Sequence, residues 1–186
     1  MKSRTLALAA GAGLVLAGCA SMVGSTVVRA PEPARRIDAA SHFTGRWYEI
    51  GRTPMKLTDG CVAGYTDYVR ERGRLIQRDA CRNGTPGGKE KVVAGRLKIL
   101  NRGQNNKVHV SYRLFGVLPV NRTYWMLDHG DGWFIMATPD LKLVNLYTRD
   151  PRPPPALVEA MTARTKTFGY DVSKLEFPET LPPGQR

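Results

Sequence analysis

The stretch Lys107-Val108-His109-Val110-Ser111-Tyr112-Arg113-Leu114-Phe115 carries apolar residues at 108, 110, 112 and 114, with polar residues between them. A period of two marks a strand with one buried face. Working outward, Lys91 to Leu100 alternates in the same way through Val93, Gly95, Leu97 and Ile99. Asn101 to Asn106 reads as the turn between these two strands. Arg46 to Arg52, Val62 to Val69, Arg74 to Ala80, Asn121 to Leu127, Gly132 to Thr138 and Leu141 to Thr148 complete a series of eight strands. Short connections between successive strands predict an antiparallel meander, and eight strands can close as an up-and-down β-barrel. Pro151, Pro153, Pro154 and Pro155 then break the pattern. Leu157, Val158, Met161 and Thr165 share one face at helical spacing, which predicts a helix over 155–168 with Gly169 as its C-cap. Leu175-Glu176-Phe177 reads as a last short strand and residues 179–186 as a tail. The expected fold class is all-β with one C-terminal helix.

A chain of 186 residues fits one such domain. Hydrophobic residues at 42% and charged residues at 24% place it among globular proteins and exclude wholesale disorder. The formal net charge is +12, which invites a nucleic-acid reading. The N-terminus redirects it. Lys2 and Arg4 precede an apolar run from Leu6 to Leu16, too short for the ~20 residues that span a bilayer but suited to a signal peptide. The run ends in Leu16-Ala17-Gly18-Cys19, which resembles the lipobox of bacterial lipoproteins. The resemblance implies removal of residues 1–18, a diacylglycerol on the Cys19 thiol and an acylated amine. Ala20 follows the cysteine, where an Asp is absent, and this resembles lipoproteins sent on to the outer membrane. The expected location is therefore the periplasmic face of that membrane, with residues 19–42 as a tether.

Loss of Lys2 and Arg4 lowers the net charge from +12 to +10. Outside the cytoplasm, anionic lipid head groups replace nucleic acid as partners of a basic surface. A merely solvated basic surface remains the other reading. Cys61 and Cys81 are the cysteines left, and an oxidising compartment favours their pairing. A hairpin turning at Glu71-Arg72-Gly73 sets them roughly opposite each other, at the short separation a disulfide needs. No base lies near either cysteine in sequence to activate a thiol. His42, His109 and His129 are scattered and no Cys-x-x-Cys is present, so neither a metal site nor a cofactor is expected.

Gly45-Arg46-Trp47-Tyr48-Glu49-Ile50, in the first strand, looks like the lipocalin Gly-x-Trp signature in its bacterial form. Thr148-Arg149-Asp150-Pro151 looks like the family's third motif, with its Arg just after the last barrel strand. Leu127 to Trp133 matches the second motif in part, through Asp128 and a downstream aromatic. Gly169 to Leu175 resembles the C-terminal segment of bacterial outer-membrane lipocalins. The resemblance covers roughly residues 43–178 and implies a barrel that binds lipid-type ligands, such as fatty acids or lysophospholipids. Strand one begins at the end of the barrel where strand eight finishes. Trp47 and Arg149 should therefore meet there, closing that end through a cation–π contact.

The mouth then lies among loops 53–61, 82–88, 116–120 and 138–141. The tether is expected to arrive at the closed end, so that the mouth faces away from the anchor. Tyr112, Leu114, Tyr124, Met126, Phe134, Met136, Val144 and Leu146 form one candidate lining set for the cup. The opposite parity, with these residues packed outside under the helix, stays open. Lys56, Arg113, Arg122 and Lys142 are candidate rim cations. No catalytic motif of the Gly-x-Ser-x-Gly or His-Glu-x-x-His type occurs, so a binding protein is expected and not an enzyme. The alternative is an envelope interaction protein that binds anionic lipid through its basic surface. The oligomeric state is left open, a dimer included.

Overall fold

Eight strands form one sheet that closes on itself. The strands are Gly45–Arg52 (β1), Cys61–Glu71 (β2), Arg74–Asn83 (β3), Glu90–Ile99 (β4), Lys107–Leu114 (β5), Leu118–Gly130 (β6), Trp133–Ala137 (β7) and Val144–Thr148 (β8). Each pairs antiparallel with its neighbours in sequence, and β1 pairs with β8. The computed structural model describes residues 28–179. The expected signal peptide 1–18, the lipidation site Cys19 and the tail from residue 180 lie outside the described residues.

The two ends of the barrel differ. The β2–β3, β4–β5 and β6–β7 turns lie at the closed end, and the other four connections surround the mouth. Glu71 faces Arg74 across a two-residue turn in which Arg72 and Gly73 both have positive φ, the twist a tight hairpin needs. A four-residue helix, Ala39–His42 (α1), is capped by the Asp38 carboxylate and leads into β1 at the closed end. Helix Pro155–Thr167 (α2) starts with a proline in its first turn, where the missing N–H costs nothing. It buries Met161 and Thr165 and half-buries Leu157 and Val158.

Two apolar layers result. One fills the barrel's closed half, around Trp47, Tyr68, Val108, Met126 and Phe134. The other lies outside the wall, where Ile135, Ala137, Val144 and Leu146 cluster with Met161. The expected last strand is reduced to one bridge, in which Arg52 and Glu176 exchange backbone hydrogen bonds at 2.9 Å.

Three further expectations change. First, β6 runs from Leu118 rather than Asn121, so the expected loop 116–120 shrinks to a tight turn. Residues Leu118 to Tyr124 extend beyond the last β6–β7 pair, Trp125 with Ala137. Pro119 sits on this unpaired edge, where its missing N–H removes no bond to β7. Second, β8 begins at Val144 and not at Leu141, whose positive φ places it in the loop.

Third, the chain reaches the barrel at the mouth end, not the closed end. The Ala30 N–H donates to the Pro139 carbonyl in the β7–β8 loop at 2.9 Å. The Ile37 N–H donates to the Gln104 carbonyl in the β4–β5 loop, at the closed end, also at 2.9 Å. Residues 30–37 thus run down the outside of the barrel. Ala30 and Ile37 are buried, so this part of the expected tether is packed against the wall.

Candidate functional site

The closed end is built around Trp47. Gly45 opens β1 with φ +62, a conformation that suits glycine. The Arg149 guanidinium lies 3.6 Å from the centroid of the Trp47 ring. Its Nη1 donates to the carbonyls of Thr44 and Arg46 at 2.8 and 2.7 Å, and its Nη2 to Ser41 at 2.9 Å. One side chain therefore satisfies three carbonyls that enter or lead up to β1. Trp47 Nε1 donates to the His42 carbonyl at 3.0 Å. The His42 ring packs against Phe43, Trp47 and Phe134. Burial pushes this imidazole down to about 3, helped by His129 and Arg149, so it is neutral.

Asp128, the partial second motif, is a clasp. It accepts from Arg164 on α2 at 2.8 Å and from Arg35 of the N-terminal segment at 3.3 Å. These hydrogen bonds hold its carboxyl below the usual range, more than offsetting burial. Sequence carried no sign of this, because the partners lie 36 and 93 residues away.

Above the packed floor is a cup of about 720 Å³, open at the mouth. That volume falls within the ~300–1,000 Å³ of small-molecule sites. Val93, Ala94, Leu114 and Val120, from β4, β5 and β6, line one wall, with Lys91, Arg113 and Arg122 at the rim. Of the eight candidate lining residues, Tyr112, Leu114, Tyr124 and Met136 line the cup. Met126 and Phe134 belong to the barrel interior but fill the floor. Val144 and Leu146 lie on the outer face, against the helix layer, and the cup receives Asn145 and Tyr147 instead. Both faces of β8 are buried, so apolar character there cannot mark the inner one. Of the four candidate rim cations, Arg113 and Arg122 line the cup, while Lys56 and Lys142 do not.

The side of the cup formed by β8, β1, β2 and β3 is polar. Asp79 accepts from the Thr66 and Tyr112 hydroxyls, each at 2.6 Å, and from Gln77 Nε2 at 3.0 and 3.1 Å. Burial still pushes its carboxyl upward, against these hydrogen bonds. Glu49 is likewise pushed up by burial, against the pull of Arg52 at 2.9 Å and of Asn145 Nδ2 at 2.6 Å. Burial works against the charge of Arg52, but Glu49 and Glu176 more than compensate. Gln77 Oε1 is buried without a hydrogen-bond partner. Sequence reading missed Glu49, Asp79 and Gln77. Period two counted from Trp47 would have found Glu49.

Cys61 and Cys81 form a disulfide, with Cα atoms 5.5 Å apart. They are not directly opposite. Cys61 faces Asn83 and Cys81 faces Gly64, and a bulge after Cys61 brings the two thiols together across the diagonal. The bridge sits at the mouth end of β2 and β3. Among the described residues, no cluster of three His, Cys, Asp or Glu could hold a metal ion.

Residues 37–180 match the family model described as a lipocalin-like domain. Insecticyanin from the tobacco hornworm Manduca sexta is similar in structure, with a TM-score of 0.63 and 18% identity over 80% of this chain and 83% of that one. Lobster apocrustacyanin A1 aligns with a TM-score of 0.59 and 12% identity, over 83% and 92% of the two chains. The cockroach allergen Per a 4 gives a TM-score of 0.58 and 13% identity, over 82% and 95%. These likenesses concern the fold. No curated protein matches the sequence.

Proposed function

Since the chain belongs to the lipocalin-like family, we propose that it binds a small hydrophobic or amphipathic ligand in its cup and stores or carries it in the cell envelope. The observation that carries this reading is the cup itself: open at one end, apolar along its β4–β6 wall and edged by Arg113 and Arg122. Fatty acids and lysophospholipids fit that arrangement. The acyl chain would lie along Val93, Leu114 and Val120, and the anionic head would meet the rim cations. Asp79 is already satisfied by three donors, so an acyl chain beside it leaves this carboxylate with its partners.

The proposed setting is the periplasmic face of the outer membrane, with Cys19 as the lipid anchor. Several acyl chains, at about 0.8 kcal/mol per buried methylene, make such an anchor firm. The protein acts by binding and not by catalysis. Its two barrel cysteines are consumed in a disulfide, and its two cup carboxyls are engaged by neighbours.

Native mass spectrometry of the protein taken from cells tests the reading. The expected result is a bound lipid on the folded chain. A barrel that comes out empty, and whose Trp fluorescence does not respond to added fatty acid or lysophospholipid, would overturn it. The mass of the N-terminal peptide tests the anchor separately.

A further inference from the structure

The β5–β6 hairpin carries the most exposed apolar group among the described residues. Phe115, Val117 and Leu118 are 91%, 77% and 54% exposed. Phe115 and Gly116 both have positive φ, so the turn is tight and holds the phenyl ring outward. The tip also stands clear of the wall. β5 makes its last pair with β4 at Tyr112, and β6 makes its last pair with β7 at Trp125. Exposed Arg113 and Arg122 flank the tip and are also rim residues of the cup. An exposed apolar cluster with cations beside it suits the interface of a bilayer, where rings enter the acyl boundary and guanidinium groups meet phosphates.

Charge alone does not choose an end of the barrel, because Arg70, Arg72, Arg74 and Arg102 are exposed at the closed end. The path of the chain does. Followed backward from Ile37, it climbs the outside of the barrel and leaves past Ala30, at the β7–β8 mouth loop. That loop neighbours the β5–β6 tip on the rim. From Ala30 to Cys19 there are eleven residue steps, at most about 40 Å of chain. A chain leaving at the mouth reaches a nearby membrane directly. With the closed end down it would have to double back past the wall that residues 30–37 already cover.

We propose that the Phe115–Leu118 tip, with Arg113 and Arg122, docks on the phospholipid bilayer that holds the anchor. The cup then opens toward the membrane, and a lipid passes between bilayer and cup without crossing bulk water. The orientation rests on the proposed Cys19 anchor, whereas the docking tip does not.

The test uses the full chain in phosphatidylcholine–phosphatidylglycerol vesicles with brominated acyl chains. Phe115→Trp and Arg102→Trp are compared with the unsubstituted protein. Both sites are exposed, so neither substitution disturbs the core. The expected result is strong extra quenching at 115 and none at 102. Quenching at 102 and not at 115 would put the closed end down and overturn the proposal. Quenching at neither site, on a chain whose N-terminal peptide carries the acyl mass, leaves the anchor standing and removes the docking. If the acyl mass is missing, quenching at 115 supports docking without the anchor, and its absence removes both.

Discussion

Arg149 joins three backbone carbonyls to the face of Trp47, and no other residue type has the planar fork to do this. Arg149→Ala should cost about 2 kcal/mol, read as a shift in the urea midpoint, after allowance for its partial exposure. Arg149→Lys should recover less than half of that, since one ammonium cannot reach all three carbonyls. His42 makes the closed end sensitive to acid. Its folded value of about 3 lies below the ordinary 6.5, so the neutral form is the folded one. The stability it contributes is complete above 6.5 and is lost as the pH falls toward 3. At pH 5 the loss is about 2 kcal/mol. Glu49 and Asp79, raised by burial, act in the opposite sense, so the measurement is a difference. His42→Phe should lose less stability than the parent between pH 7 and pH 5. Equal losses in urea melts at the two pH values would discard this account. Trp47 and Arg149 could be read from the sequence because they resemble family motifs on strands that must meet at one end. His42 could not, because α1 is only four residues long and carries no periodic signal.

At the scale of the elements, β4 packs tightly against β5 at Gly95. A Cβ on Gly95 would meet Val110 Cγ1 at 2.7 Å and Tyr112 Cδ1 at 2.8 Å. Gly95→Ala should therefore push Tyr112 aside and disturb its bond to Asp79. The expected cost is about 1–3 kcal/mol, measured by chemical denaturation. A gain in stability instead would show that the wall gives way freely. The strands and α2 were legible because their periods of 2 and 3.6 are local properties. Strand lengths were less so. Pro119 looked like a loop residue, yet β6 passes through it because β7 stops short and leaves that edge unpaired. The sequence also misled on the lining face of β8. Val144 and Leu146 are as apolar as any inward residue, but the layer they supply lies under the helix.

At the scale of the whole molecule, the cup's apolar wall decides whether a ligand fits. Val93→Trp places an indole in the cup from a half-buried position on β4. Binding of a fluorescent fatty acid should fall at least tenfold, about 1.4 kcal/mol, while the melting temperature holds. Unchanged binding would place the ligand elsewhere, on the basic surface. The polar side of the cup lay beyond sequence reading, since Glu49, Gln77, Asp79 and Asn145 come from three separate strands and meet only on closure. The sequence by itself determined the eight strands, the helix, the disulfide pair and the residues that close one end. The strands, the helix and the disulfide pair follow from local periodicity and spacing, and the closing residues from their resemblance to family motifs together with the antiparallel order of a meander. Only the tertiary structure decided which face of β8 lines the cup and where the chain reaches the barrel. Both faces of that strand are buried, and a segment with no periodicity finds its place only from the wall it packs against.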